Sequence, residues 1–246
     1  MKKIIYFLSI SFLLLQSCSS DSSNDIATSS VLCKTIKSTN ASGKIYRDEF
    51  TYNGNKFSQI NYYINDIFEG KGIIYYKGNL ISEVKNYNKD NKLDYTITAT
   101  YDSFGKIISR LSIDSDPNSN DSSKTIYRYN QDGTITEFVY SGNQTIQDGL
   151  EVTSTYTLLD NLIIKAEVVN GNSPARIQIY KYDTKNGPFK NVIGFDWYYS
   201  GDNFYGGFKH NIIEDTDSNY NYTFNSANYP ILRTSSQNKD TVEYIY

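Results

Sequence analysis

A tyrosine followed by a tight-turn signal recurs along this chain, and the recurrence limits the possible folds more than any other feature. Tyr52-Asn53-Gly54-Asn55-Lys56-Phe57 is echoed by Tyr76-Lys77-Gly78-Asn79-Leu80-Ile81. Tyr101-Asp102-Ser103-Phe104-Gly105-Lys106-Ile107 is echoed by Tyr129-Asn130-Gln131-Asp132-Gly133-Thr134-Ile135. Weaker copies start at Tyr156, Tyr182 and Phe224, and the chain closes on Tyr244-Ile245-Tyr246. The anchors Tyr52, Tyr76, Tyr101, Tyr129, Tyr156, Tyr182, Phe224 and Tyr246 lie 24, 25, 28, 27, 26, 42 and 22 residues apart. Self-similarity at a nearly constant period marks a repeat architecture in which each unit is one supersecondary element. The single long interval marks an insertion.

Each unit has the physics of a β-hairpin. Before one turn Tyr95, Ile97, Ala99 and Tyr101 alternate with Thr96, Thr98 and Thr100; after it Ile107, Ser109, Leu111 and Ile113 alternate with Ile108, Arg110 and Ser112. Period-two alternation predicts strands with one buried face. Asn-Gly, Asp-Gly and Lys-Gly supply the positive φ of tight hairpin turns, and with 4 prolines in the chain, long strands run uninterrupted. A lone hairpin is marginal in water, so the units must bury their apolar faces against one another. Tyrosine, present 24 times, suits an anchor whose ring packs while its hydroxyl stays in water. The expected fold class is all-β: an antiparallel meander of repeated hairpins forming one large curved sheet or open half-barrel, with one short helical and aromatic insertion. With 15% aromatic residues a disordered chain is excluded.

The insertion lies between Tyr182 and Phe224, at about 187–215. Phe189, Val192, Ile193 and Trp197 have helical spacing behind Asn186 as a cap and Pro188 near the first turn. Trp197, Tyr198, Tyr199, Phe204, Tyr205 and Phe208, broken by Gly201, Gly206 and Gly207, are the candidate ligand-binding residues. They suit an aromatic platform for sugar rings or a peptide at the mouth of the sheet. The same residues suit a plug over the open end of the apolar face, and their helical spacing favours the plug.

The N-terminus reads as an address. Lys2 and Lys3 precede a short apolar run from Ile4 to Leu15. That run is too short to cross a bilayer as a helix, which needs about 20 residues, and has the layout of a secretory signal. Leu15-Gln16-Ser17-Cys18 resembles the lipobox of bacterial lipoproteins, which implies cleavage before Cys18 and lipidation of its thiol. The expected organisation is a signal peptide over 1–17, a flexible Ser/Asp/Asn-rich tether over 18–32 and one hairpin-repeat domain over 33–246. Loss of Lys2 and Lys3 takes the net charge from −3 to −5, which disfavours nucleic acid as a partner. Cys33, left without a disulfide partner, reads as a small buried apolar residue.

The Tyr-Asp-x-x-Gly-x-Ile units resemble YD repeats, the hairpin repeats of RHS-type proteins. The whole layout is similar to uncharacterised surface lipoproteins of the Bacteroidota, which combine a lipobox, Tyr/Asn-rich hairpins, an Asn-Pro-Phe-Lys segment and a closing Gly-Tyr-Pro turn. Here those last two stand as Asn186-Gly187-Pro188-Phe189-Lys190, with an extra Gly, and Asn228-Tyr229-Pro230, with Asn for Gly. The resemblance implies an outer-membrane protein anchored through lipid on Cys18 and surface-exposed rather than periplasm-facing; Asp21 and Asp25 echo the acidic export signal of such proteins. It carries no activity, so no catalytic residue is transferred.

Elementary chemistry adds little catalytic material. His210 is the single histidine, and no Gly-x-Ser-x-Gly elbow occurs. An ordinary loop histidine is therefore expected rather than a general base. Asp114, Asp116 and Asn118, and again Asp215, Asp217 and Asn219, place oxygens at alternate positions as calcium loops do. Both lack the glycine and the bidentate Glu of an EF-hand, so polar hairpin loops are expected. The expected function is a non-catalytic envelope lipoprotein without a cofactor, binding a glycan, a peptide or an envelope-protein partner. A periplasm-facing carrier of a lipid in the half-barrel is the alternative, and a hydrolase with two converging carboxylates a more remote one. A concavity lined by Tyr and Asn marks the first; an empty one lined by Ile, Leu and Phe marks the carrier.

Overall fold

The computed structural model describes residues 30–195, 209–237 and 239–246. The leader, Cys18 and the aromatic group Trp197, Tyr198, Tyr199, Phe204, Tyr205 and Phe208 lie outside the described residues. Elsewhere strand follows strand. They are β1 (Thr35–Thr39), β2 (Ile45–Asn53), β3 (Lys56–Ile64), β4 (Ile67–Lys77), β5 (Leu80–Asn88), β6 (Leu93–Tyr101), β7 (Ile107–Asp114), β8 (Ser122–Tyr129) and β9 (Ile135–Gly142). Then come β10 (Gln147–Leu159), β11 (Leu162–Asn170), β12 (Arg176–Ile179), β13 (Lys181–Tyr182), β14 (Ile212–Glu214), β15 (Tyr220–Phe224), β16 (Pro230–Ser235) and β17 (Thr241–Ile245).

Fifteen of these form one antiparallel sheet in the order β12 through β1, then β17, β16 and β15. The expected meander is therefore present, with one addition: the last strand returns to the first, Ile36 standing opposite Tyr244. The ladder does not close on itself; its two edges, β12 and β15, are instead spanned by the pair β13–β14. β13 continues β12 past Tyr180, and β14 leads through a turn into β15, Glu214 bridging Asn219. Lys181 Nζ lies 2.8 Å from Glu214 Oε1, Ile179 N–H donates to Thr216 Oγ1 at 2.9 Å, and Arg176 pairs with Asp217. With its edges clasped in this way the sheet wraps round and has an inner face.

The turns explain the repeat period. At the anchor end, one extra residue sits on the strand after the turn: Thr51 faces Gln59 but Tyr52 faces Phe57, Tyr75 faces Glu83 but Tyr76 faces Ile81, and Thr100 faces Ser109 but Tyr101 faces Ile107. Each bulge puts the anchor and the first residue after the turn on the same inner face, then inverts the alternation beyond it. The simple alternation expected after Gly105 is thereby corrected. Ile107 is inside and 3% exposed, but Ser109, Leu111 and Ile113 oppose Thr100, Thr98 and Thr96 on the outer face, and Arg110 and Ser112 turn inward.

A bulge interrupts the hydrogen-bond ladder, and the next anchor repairs it. Phe57 N–H donates to the Tyr76 hydroxyl at 3.1 Å; Tyr101 donates to Ile81 O at 2.7 Å, Tyr129 to Ile107 O at 3.0 Å and Tyr182 to Ile163 O at 2.9 Å. The β8–β9 hairpin has no bulge at its turn, Tyr129 facing Ile135 in register. There the following anchor, Tyr156, donates to the Glu137 carboxylate instead, at 3.0 Å. The hydroxyls expected in water are thus half-buried or buried and bonded, which is why tyrosine rather than phenylalanine recurs. Tyr101→Phe, which keeps the ring and strands the Ile81 carbonyl, is expected to cost about 1–3 kcal/mol in denaturant unfolding. Tyr75→Phe, on the outer face, should stay within about 0.5 kcal/mol; equal effects at the two positions would remove the repair role.

The core lies at the anchor end of the inner face. Cys33, Ile36, Phe50, Phe57, Ile74, Ile81, Val84, Val242 and Tyr244 pack with Phe189, Val192 and Phe195 of the insertion. Phe189 is 1% exposed, and its ring meets Phe50, Phe57 and Phe195 edge-on at centroid distances of 5.0, 5.4 and 4.9 Å. The described part of the insertion is therefore a plug. From Phe189 to Gly194 the chain takes successive turns rather than a helix, Val192 N–H returning to Phe189 O, and Gly194 has φ 79°; Phe195 has helical backbone, and Trp197 lies outside the described residues. A β-carbon on Gly194 would come within 2.4 Å of Asn79 O, so both its conformation and its contact demand glycine.

The two segments singled out by the resemblance touch one another. Asn186 N–H donates to Asn228 O and its side chain to Ala227 O, while Asn191 Nδ2 reaches the Tyr229 hydroxyl at 2.8 Å. Asn228 has φ 60°, the left-handed conformation that makes glycine or asparagine suitable there. Cys33 is fully buried and free, as its small apolar reading implies.

Candidate functional site: the polar half of the inner face

Strand direction divides the inner face into two zones. The anchor turns and the plug occupy one end, and the Asn65–Asp66 turn and the 115–121, 143–146 and 171–175 connections lie at the other. Going away from the plug along β2, the inner positions after Phe50 are Asp48 and Tyr46. Asp48 faces Tyr62, which faces Gly70, which faces Asn88; the row below runs Ile60, Gly72, Asn86, Tyr95. Gly72 leaves room for the Tyr62 hydroxyl and Asn86 Oδ1, which would lie 2.9 and 3.1 Å from a β-carbon there.

The polar lining continues round the sheet. Arg110 stands between Ala99 and Thr125, Ser112 between Ile97 and Ser123, and Glu137 between Tyr127 and Ser154. Asn86, Thr125, Glu137 and Ser154 are all buried, so the polar zone reaches into the packed interior. Buried polar groups persist where they find partners. Burial, reinforced by the Glu137 charge, pushes the Tyr156 hydroxyl far above its ordinary pKa and keeps it a donor. Beyond the clasp, Arg233 faces Tyr222 on one side and Val242 on the other, its guanidinium 4.8 Å from the Tyr220 ring centre.

The outer face differs. Lys37 pairs with Glu243, Arg47 with Glu49 and Asp66, Lys85 with Glu83 and Lys165 with Glu167. Arg47 also stacks on Tyr63, 3.8 Å from its centre. Apart from Asp66, which lies in a turn, these charged groups sit within strands, where a lipid-spanning barrel carries an apolar band.

The residues expected to act chemically are placed apart. His210 binds Lys185 O through Nδ1 at 2.9 Å on the surface near the plug, away from the polar zone. In the 114–121 loop Asp114 accepts from Asp116 N–H and Ser119 Oγ, and Asp116 accepts from Asn118 N–H. In the 215–219 turn Asp215 accepts from Asp217 N–H, Ser218 N–H and the Tyr220 hydroxyl, Asp217 pairs with Arg176, and Asn219 N–H donates to Ser236 Oγ. Their oxygens shape turns, and no group of three His, Cys, Asp or Glu converges on an ion position among the described residues. Asp48, Arg110, Glu137 and Arg233 were absent from the expected site list. Bulges hid Arg110 and Arg233, whose side of the sheet comes out wrong when counted by simple alternation from the turn; Asp48 and Glu137 do lie on the face that alternation gives, but nothing in their residue types singled them out.

A large, wrapped antiparallel sheet with an internal plug and a polar interior defines a barrel-like architecture. No family model matches the chain, and no curated protein matches it. Among solved structures it is similar to a porin-like protein from Bacteroides uniformis, with a TM-score of 0.57 over 86% of this chain and 95% of that one, at 11% identity. At that identity the likeness shows a shared fold.

Proposed function

We propose that this chain is a non-catalytic binding protein of the bacterial envelope, anchored by lipid on Cys18, which holds a glycan or peptide in the polar half of its inner face. The observation that carries the reading is the division of that face: the apolar half is filled by Phe189, Val192 and Phe195, and the other half is lined by Tyr, Asn, Ser, Thr and charged groups. A lipid carrier needs an empty apolar space, and the plug occupies it. Charged pairs on the outer face favour a sheet standing in water over one embedded in lipid.

Attachment gives the domain an orientation. The fold takes up the chain at the plugged end, where Asn55 Nδ2 donates to Ser30 Oγ and Asn191 Nδ2 to Val31 O. The stretch from Cys18 to Ser30 spans at most about 40 Å when extended. The plug then faces the membrane and the polar mouth faces away. Two measurements test the reading: protease shaving of intact cells, and glycan-array binding by the chain truncated before Ser30. Surface cleavage together with retention of polar saccharides is expected. Protection from protease combined with uptake of a fluorescent fatty acid overturns it in favour of the carrier.

A further inference from the structure

The clasped side of the inner face holds a cation without an acidic partner among the described residues. Arg233 lies on β16, opposite Tyr222 of β15, with Tyr220 beneath its guanidinium and the 3% exposed Tyr244 on the next strand. Arg47 and Arg176 each pair with carboxylates. No carboxylate among the described residues pairs with Arg233, which stays partly exposed on the inner face. The carboxylate of the turn above it, Asp215, is taken up by two backbone N–H groups and the Tyr220 hydroxyl.

A half-buried guanidinium carries five donors in a planar fork. The Tyr220 face stabilises its charge without using a donor, and the Tyr222 hydroxyl accepts one. Donors are left for an oxyanion, and the fork fits a carboxylate at two points. The same row continues from Arg233 through Val242 and Ser38 to Tyr46, which is 40% exposed. Three strand spacings of about 4.8 Å put Tyr46 about 14 Å from Arg233, the span of a short oligosaccharide. The row offers a ring face, a hydroxyl and a cation in sequence.

We propose that Arg233, with Tyr220, Tyr222 and Tyr244 around it, is the subsite that receives the carboxylate of an acidic sugar, in the same polar half-barrel proposed above to bind a glycan. The proposal rests on that reading and narrows it to uronate-bearing saccharides.

Calorimetric titration of the chain truncated before Ser30 with a tetrasaccharide of galacturonic acid, and with the matching neutral galactose tetrasaccharide, tests it. The acidic ligand should bind at least about tenfold more tightly, the worth of one charge-assisted paired contact. Arg233→Gln should abolish the preference, and Arg233→Lys, which keeps the charge without the fork, should retain part of it. The comparison between the two sugars on the unaltered chain decides the matter even if a variant folds poorly. Equal affinity for both sugars, or a preference that survives in a folded Arg233→Gln, overturns the subsite and leaves the glycan reading standing. Binding of neither sugar overturns both. Displacement of the acidic sugar by inorganic phosphate at equal concentration assigns the pocket to small anions at large and overturns the sugar assignment.

Discussion

Phe189→Ala is expected to destabilise the fold by about 3–5 kcal/mol, the usual cost of emptying a phenylalanine site in a packed core. For a domain of this size that lowers the melting temperature by roughly 6–20 °C. The ring touches Phe50 and Phe57 of the sheet and Phe195 of its own segment, and it is 1% exposed, so nothing can relax far enough to fill its place. The loss also removes the element that seals the apolar half, so increased binding of a hydrophobic dye should accompany it. Phe104→Ala is the matched control, because Phe104 is 88% exposed in an anchor-end turn and should change stability by at most about 0.5 kcal/mol. A loss below about 1 kcal/mol at Phe189 would mean that the insertion merely rests on the sheet.

Alkaline pH should unfold the protein over a window set by its buried tyrosines and its thiol. Burial pushes Cys33 from 9.0 up to about 12, and Tyr76 and Tyr129 from 10.0 up to about 12. Tyr52, Tyr156, Tyr182, Tyr222 and Tyr246 move further in the same direction, burial again the leading cause. These groups bind their protons more tightly folded than unfolded. Their contribution is present in full below pH 9, where both states are protonated, and is lost as pH rises through the folded values near 12. The loss accelerates because the anchors that donate, Tyr129, Tyr156 and Tyr182, also drop their bonds to a neighbouring hairpin when ionised, whereas the Tyr76 oxygen, which accepts from Phe57 N–H, keeps its bond. Tyrosinate absorbance should therefore rise in two phases, the second coinciding with loss of the β-sheet circular dichroism signal and with first reaction of Cys33 toward a thiol reagent. A single titration near pH 10 with the sheet intact would mean that the anchors are in contact with water.

Much of the fold was legible in the sequence, because tyrosine, a turn glycine and a following apolar residue recur and each has one physical job. The strands before the turns were legible too: Tyr95, Ile97, Ala99 and Tyr101 do share the inner face. What followed each turn was not, since a single residue such as Ile108 placed between two ladder pairs leaves no mark in composition yet exchanges the faces of an entire strand. The tight turn at Asn65 and Asp66, with φ 49° and 63°, lacks glycine and so escaped the motif. The helical spacing from Phe189 misled as far as Gly194, whose positive φ and contact with Asn79, far away in the chain, keep that stretch in turns. Asn86, Arg110, Ser112 and Arg233 were invisible for a related reason: their side of the sheet depends on bulges, and the neighbours of Arg233 also on β17 returning to β1.

That return of the final strand to the first has a consequence for how the molecule matures. Neighbouring hairpins can zip together as soon as each emerges, since their contacts are local and such contacts form fast. The seam between β1 and β17, and the bond from Asn191 to Val31 across 160 residues, must wait for the C-terminal segment. Until then Ile36, Phe50 and Phe57 are uncovered, and an exposed apolar surface of that kind invites aggregation. A chain truncated before Thr241 should accordingly remain a sticky, unsealed intermediate, which makes the last few residues the latch that completes assembly.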